Sequence, residues 1–206
     1  VEDALEEIVE RKIQEFLRLV HGSKGRWLGL LEGHHLYEFR DGTTTDTRIA
    51  QALKAPFLGT CAFVRLKFKR RTTPSVSCTI FCHHGVGSGA KMAAPLNKLE
   101  NIMPYFEADI YLIGHQHKKV AGIVDRLFMT KKRPHKLSHR TVIMANTGGY
   151  LRGYLEGVTQ GGLFPRGGYV ERGLRPPVGL GCILLFLRPV REGRDHPSRL
   201  DLNVGL

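Results

Sequence analysis

Apolar residues recur at helical spacing near the start of the chain. Across residues 3–20 leucine, isoleucine, valine and phenylalanine return at intervals of three and four, with acidic and basic residues between them. This pattern predicts an amphipathic helix, and Gly22 is expected to end it. Asp46 is predicted to cap a second helix that runs to residue 53, and a third helix is predicted over 95–103.

The other apolar segments have the length and the alternation of strands. Residues 64–69 alternate between apolar and basic, which predicts a strand with one face in water, and with residues 76–82 they predict a hairpin through 72–75. A buried strand is expected at 27–31, and further strands at 109–113, 122–128, 141–145 and 180–187. Strands joined partly by helices and partly by hairpins predict an α/β layered fold with a mixed sheet, in one domain covering residues 1–206.

Composition narrows the class of protein. The 206 residues are 42% hydrophobic and 24% charged, which suits one globular domain with a sizeable core. No apolar run has the length of a membrane span, so a membrane partner is not expected. The four cysteines form no Cys-x-x-Cys pair and the first residues carry no secretory signal, so the prediction is a cytoplasmic protein with free thiols.

Positive charge predominates along the chain. The formal net charge is +12, and basic residues cluster at 67–71 and 131–133. A surface of this kind attracts anionic partners, including nucleic acid. The alternative interpretation is that both clusters are solvated basic turns, because no known nucleic-acid reader motif accompanies them.

Histidine clusters follow three of the predicted strands. His34 and His35 come after the strand expected at 27–31, and His83 and His84 after the strand at 76–82. The third cluster, Gly114-His115-Gln116-His117, follows the strand at 109–113. The carboxyl ends of strands in α/β folds are where sites assemble, so these side chains are expected to converge on a metal.

The third cluster gives the sharpest prediction. In extended backbone, residues two apart point to the same side, so His115 and His117 are expected to project together and to serve metal ions about 3.5–4 Å apart. The glycine-rich loop 85–89 leaves room and backbone N–H groups for an anionic ligand. Isolated histidines are more often ordinary surface residues than ligands, and that interpretation is kept for four of them: His21, His135, His139 and His196.

These motifs resemble those of the calcineurin-like metallophosphoesterases, in particular a phage and archaeal branch. Three motifs are similar, in order and separation, to the last three of that family: Gly33-His34-His35, His84-Gly85 and Gly114-His115-Gln116-His117. The resemblance implies an αββα sandwich with mixed sheets. It also implies hydrolysis of phosphate monoesters or diesters by two divalent ions, with Mn, Fe, Zn, Ni and Co as candidate cofactors.

The resemblance assigns a role to each matching residue. His84 and His115 would bind the second metal and His117 the first, while His34 stands where the family has a metal-binding asparagine. His35 matches the family's catalytic histidine, which protonates the leaving oxygen. If the register of the strand shifted by one residue, His83 would replace His84 as the ligand.

The chain also departs from the family pattern. No Asp-x-His and no Gly-Asp motif precedes Gly33, so the bridging carboxylate of the family is missing. We therefore expect a C-terminal portion of such an enzyme, incomplete at its N-terminus and barely active on phosphate esters by itself. Two alternatives stay open: a non-catalytic basic protein that associates with nucleic acid, and an inert truncated product.

Overall fold

The computed structural model describes residues 2–70, 73–87, 89–130, 134–150, 153–154, 169–190 and 199–206. Over these residues the chain is a mixed α/β protein with a curled, mixed six-stranded sheet and three helices longer than two turns. The α/β class expected from the sequence is thereby confirmed. The chain divides into two compact units, Val1–Val64 and Arg65–Leu206, and each is described by itself.

Two helices dominate the first unit. The predicted amphipathic helix is present as α1, Glu2–Val20, and a short 3-10 turn, His21–Ser23, follows it. The second helix, α2, spans Thr45–Leu53. Arg48 joins the two, because its guanidinium lies 2.8 Å from the carboxylate of Glu10 on α1 and also packs 3.4 Å above the ring of Phe39.

Asp46 was wrongly predicted to cap α2. The cap is Thr44, whose hydroxyl accepts a hydrogen bond from the backbone N–H of Thr47, while the Thr47 hydroxyl accepts one from Thr44. Hydroxyl groups three residues apart can satisfy each other's backbone N–H groups, and this pairing takes precedence over a carboxylate two residues farther on. The carboxylate of Asp46 is used elsewhere, since it accepts a hydrogen bond of 2.7 Å from the N–H of Gly33.

The strand expected at 27–31 is also wrong. This segment makes one isolated parallel bridge, Leu30 with Phe57, and Leu28 is 59% exposed. A strand is stable only when a neighbour pairs with its backbone groups over several residues. Residues 56–59 pair with this segment only around Leu30 and Glu32, which is too short for a strand, so the run at 27–31 remains irregular chain.

The second unit is built on the sheet. Its strands are β1 (Cys61–Arg70, which begins in the first unit), β2 (Thr73–His83), β3 (Ile110–Ile113), β4 (Lys119–Met129), β5 (Leu137–Gly149) and β6 (Gly181–Cys182). The order is β1-β2-β3-β5-β4, with β6 beside β5. Strand β3 is parallel to both β2 and β5, whereas β4 and β5 are antiparallel. The carboxyl ends of β2, β3 and β5 therefore lie at one edge of the sheet.

The remaining elements are small. A four-residue helix, α4, spans Tyr169–Arg172, and β7 (Leu184–Val190) pairs antiparallel with β8 (Arg199–Gly205). The single strand predicted at 180–187 is thus divided between β6 and β7. The basic cluster 131–133, His196 and residue 72 of the predicted turn lie outside the described residues, and residues 73–75 of that turn belong to β2.

Helix α3, Ala94–Ile102, covers one face of the sheet. Leu99 and Met103 pack in a buried cluster with side chains from three strands: Phe81, Tyr111, Ile113, Val142 and Met144. The Tyr111 hydroxyl accepts a hydrogen bond of 3.0 Å from the N–H of Ala108 and donates one to the carbonyl of Phe106. Burying a side chain such as Leu99 contributes about 1.5–3 kcal/mol, so α3 fixes firmly which face of each strand is covered.

The exposed side of β1 is basic, as the alternation in the sequence predicted. Arg65, Lys67 and Lys69 are exposed, while Val64, Leu66 and Phe68 between them are partly buried.

Among the helices in the described part of the chain, none combines the length and the apolar character that crossing a membrane requires.

Candidate metal centre

His84 and His115 come together at the edge where the parallel strands end. Strand β2 ends at His83 and β3 at Ile113, and these two residues are paired in the sheet. The chain therefore enters two neighbouring loops at the same level, one with His84 and one with His115. The centroids of their rings are 5.3 Å apart, with the ring planes tilted by 60°.

This separation is suitable for a shared ion. One ring nitrogen of His84 and one of His115 lie within 4.8 Å of each other. Two imidazole nitrogens that bind a zinc-sized ion at about 2.0–2.1 Å in a tetrahedron are roughly 3.4 Å apart. Modest rotations of the two rings would bring the nitrogens to the distance that a shared ion requires, so the pair can supply two ligands to one ion.

The side chain of His83 is hydrogen-bonded within its own loop. Its Nδ1 accepts a hydrogen bond of 2.7 Å from the N–H of Gly85. Alternation along β2 also places His83 on the face with Phe81, which α3 covers, and turns the next side chain to the other face. The structure thus brings His84, and not His83, beside His115.

The backbone of the third cluster differs from the expectation. His115 and His117 have φ angles of 67° and 56°, in the left-handed region, so the prediction of extended backbone there is wrong. The chain must reverse between β3 and the antiparallel β4 within five residues, and a hydrogen bond of 2.8 Å from the N–H of Gln116 to the carbonyl of Gly114 tightens the turn. Each left-handed residue other than glycine costs about 1–2 kcal/mol, which the surrounding contacts must offset.

Two glycines let the loops touch. The N–H of Gly114 donates to the carbonyl of His84 over 3.1 Å. Gly85 has a φ of 99°, and a Cβ at this position would lie 2.7 Å from the carbonyl oxygen of Gly114 and 3.0 Å from the Cβ of His115. A side chain larger than hydrogen would push the His84 loop away from the His115 loop.

The other predicted site residues have different surroundings. His117 is exposed and packs beside Gly149 at the end of β5, where a Cβ on that glycine would lie 3.1 Å from the Cβ of His117. His34 and His35 belong to the first unit, where both are exposed and their ring centroids are 3.8 Å apart. The bond from Gly33 to Asp46 anchors their loop to the first turn of α2.

Sequence inspection missed three polar residues around the paired loops. Lys118 is only 4% exposed, and burial, with a smaller contribution from the charge of Lys98, lowers the pKa of its ammonium group. The side-chain amides of Gln116 and Asn146 are buried without a hydrogen-bond partner in the described part of the molecule. Nothing in the local pattern marks these residues, since lysine and amides after a strand usually face water.

Comparison with known proteins adds no assignment, because no family model, no curated protein and no solved structure matches this chain. The chemistry of the site must therefore be inferred from its residues.

Proposed function

We propose that this chain is a metal-dependent phosphoesterase of the calcineurin-like type, with His84 and His115 as the central metal ligands. The observation that carries the proposal is their approach to 5.3 Å at the ends of two neighbouring parallel strands. Neutral imidazole is a good ligand for Zn, Mn, Fe, Ni and Co, and its presence on two rigidly joined loops favours a fixed coordination geometry.

His34 is proposed as the third ligand, following its place in the Gly-His-His motif. A third imidazole would give the metal ion three protein ligands and leave a position open for water or substrate, as in catalytic zinc sites. We assign His117 to a second metal ion. We also propose that the mixed α/β fold is the αββα sandwich of the calcineurin-like family.

The proposed roles in the reaction are divided among the histidines. When bound, divalent ions lower the pKa of a nucleophilic water and neutralise the charge of the phosphate oxygens. His35 is exposed and next to a ligand, and we assign it the transfer of a proton to the leaving oxygen. Turnover by these 206 residues should be slow, because no Asp-x-His motif in this sequence precedes Gly33 to supply a bridging carboxylate.

The experiment is a titration of the purified chain with Zn²⁺, Mn²⁺ and Ni²⁺ by isothermal calorimetry, followed by hydrolysis of bis-p-nitrophenyl phosphate. His84→Ala and His115→Ala should each weaken binding of the preferred ion by at least about tenfold, since each removes a ligand. His139→Ala is the matched control, because His139 is exposed on β5. Equal affinity of all three variants would refute the proposal, and hydrolysis that a chelator does not suppress would refute metal dependence.

A second function, binding of nucleic acid, is favoured by the exposed basic stripe of β1. Arg65, Lys67 and Lys69 project from one side of a strand at the edge of the sheet. Lysine on an edge strand also protects against edge-to-edge aggregation, so the stripe has a structural explanation as well. Binding of a labelled oligonucleotide that falls with salt, survives a chelator and is lost when the three residues become glutamine would support this function.

A further inference from the structure

A buried lysine, Lys118, forms hydrogen bonds with the loop that follows His84. Lys118 directly follows His117 in the chain, and its ammonium group donates to the carbonyl of Lys91 over 2.6 Å and to the carbonyl of Gly89. These acceptors belong to the segment that leads from the glycine-rich loop into α3. One side chain thus ties the loop between β3 and β4 to the loop between β2 and α3.

We propose that Lys118 is a positioning residue that sets the distance between His84 and His115. The proposal rests on the proposed function, because the distance matters only if the pair binds a metal. Lys118 does not need to touch the ion or the substrate. Its two hydrogen bonds hold the far end of the loop that begins at His84, while the bond between Gly114 and the His84 carbonyl holds the near end.

Burial makes this tie strong. The Lys118 side chain is 4% exposed, so water does not compete effectively for its ammonium group. Hydrogen bonds from a charged donor are about twice as strong as neutral ones, and removing the donor takes away both of these contacts. Lys98 also donates to the loop, at the carbonyl of Val86, but from an exposed position where water can replace it.

Backbone strain in the site explains why the hydrogen bonds of Lys118 would matter. His115 and His117 are both in the left-handed region, and the loops touch through Gly85. A strained turn relaxes unless other contacts restrain it. Lys118 supplies a restraint that reaches both loops, and so it should affect metal affinity without being a ligand.

The test compares Lys118→Met with the wild-type chain and with Lys136→Met, which removes an equal charge from an exposed position. The probe is Co²⁺, whose visible absorption reports the number and geometry of its ligands. We expect Lys118→Met to bind Co²⁺ about 10–100-fold more weakly, as loss of an outer contact typically does, and to change the absorption spectrum at saturation. Lys136→Met should match the wild type in both measurements.

The outcomes separate the two proposals. If the wild-type chain binds no Co²⁺, the proposed function fails. If it binds and a folded Lys118→Met binds with the same affinity and spectrum, the positioning role fails and Lys118 is merely structural. Should circular dichroism show that Lys118→Met does not fold, Lys118→Gln, which keeps one donor, becomes the deciding variant with an intermediate loss expected. Failure of both to fold would also overturn the proposal, since Lys118 would then be required for the fold itself.

Discussion

Replacing Gly85 by alanine probes the contact between the two histidine-bearing loops. Gly85 has a φ of 99°, and the added Cβ would lie 2.7 Å from the carbonyl oxygen of Gly114 and 3.0 Å from the Cβ of His115. Neither neighbour is the flexible end of a side chain. Relief of the clash must therefore move the backbone at the end of β3.

Two costs add up at this position. A side chain at positive φ costs about 1–2 kcal/mol, and forcing an extra methyl group into a packed region costs about 1–3 kcal/mol. Together they should lower the free energy of unfolding by about 2–5 kcal/mol. For a domain near 150 residues each kcal/mol changes the melting temperature by about 2–4 °C, so the expected fall is about 4–20 °C.

Two other glycines separate the contributions. Gly87 has a φ of 64°, and among the described residues its added Cβ would meet the flexible end of Lys98, at 3.3 Å, so Gly87→Ala should show the conformational cost alone. At Gly179 the added Cβ would meet no described residue within 4 Å beyond its chain neighbours, so Gly179→Ala should change stability by less than about 0.5 kcal/mol. Thermal unfolding followed by circular dichroism measures all three. A melting temperature of Gly85→Ala equal to that of Gly179→Ala would show that the loops do not touch as described.

Other outcomes follow from burial and from the cap of α2. Cys61 and Cys182 are exposed, whereas Cys78 and Cys82 are buried and burial raises the pKa of the Cys78 thiol to about 12. A thiol reagent at pH 8 should thus modify two cysteines quickly in the native chain and all four after denaturation, and rapid native reaction of more than two would contradict the burial. Thr44→Ala should destabilise the first unit by about 0.5–2 kcal/mol through loss of the cap, measured by urea unfolding of the Trp27 fluorescence, and an unchanged midpoint would contradict the capping box.

Helix α1 and strands β2, β4 and β5 were predicted well, since each contains the segment expected from its apolar residues. The pattern of α1 is that of a surface helix, which repeats one environment every 3.6 residues. The apolar run of β5 instead marks a strand with five consecutive buried residues. The strand predicted at 27–31 was wrong because four apolar residues and a glycine define neither a period nor a pairing partner, and pairing depends on the rest of the chain.

The site was only partly predictable for a similar reason. Strand ends marked where His84 and His115 would lie, because parallel strands bring their carboxyl ends to one edge of the sheet. The left-handed turn at His115 and His117 was not visible in the sequence, since residues other than glycine are uncommon at positive φ and the reversal into β4 depends on the whole sheet. The role of Lys118 depends on carbonyl groups nearly thirty residues away, which no local pattern encodes.

Several costly features of the second unit lie at one edge of the sheet. Two left-handed histidines, a buried lysine and two amides without partners in the described part of the chain all lie at or just beyond the ends of β3 and β5. Asn146 on β5 is paired in the sheet with Ile113, the last residue of β3, and Gln116 stands between the two histidines of the turn. Each unsatisfied buried amide costs about 1–3 kcal/mol, comparable with each strained φ angle. A sequence selected for stability alone would replace these residues, as valine or leucine would suit the interior of β5 better than asparagine. Their concentration beside His84 and His115, with an apolar core only two residues farther into the sheet, is consistent with the metal site proposed for this edge.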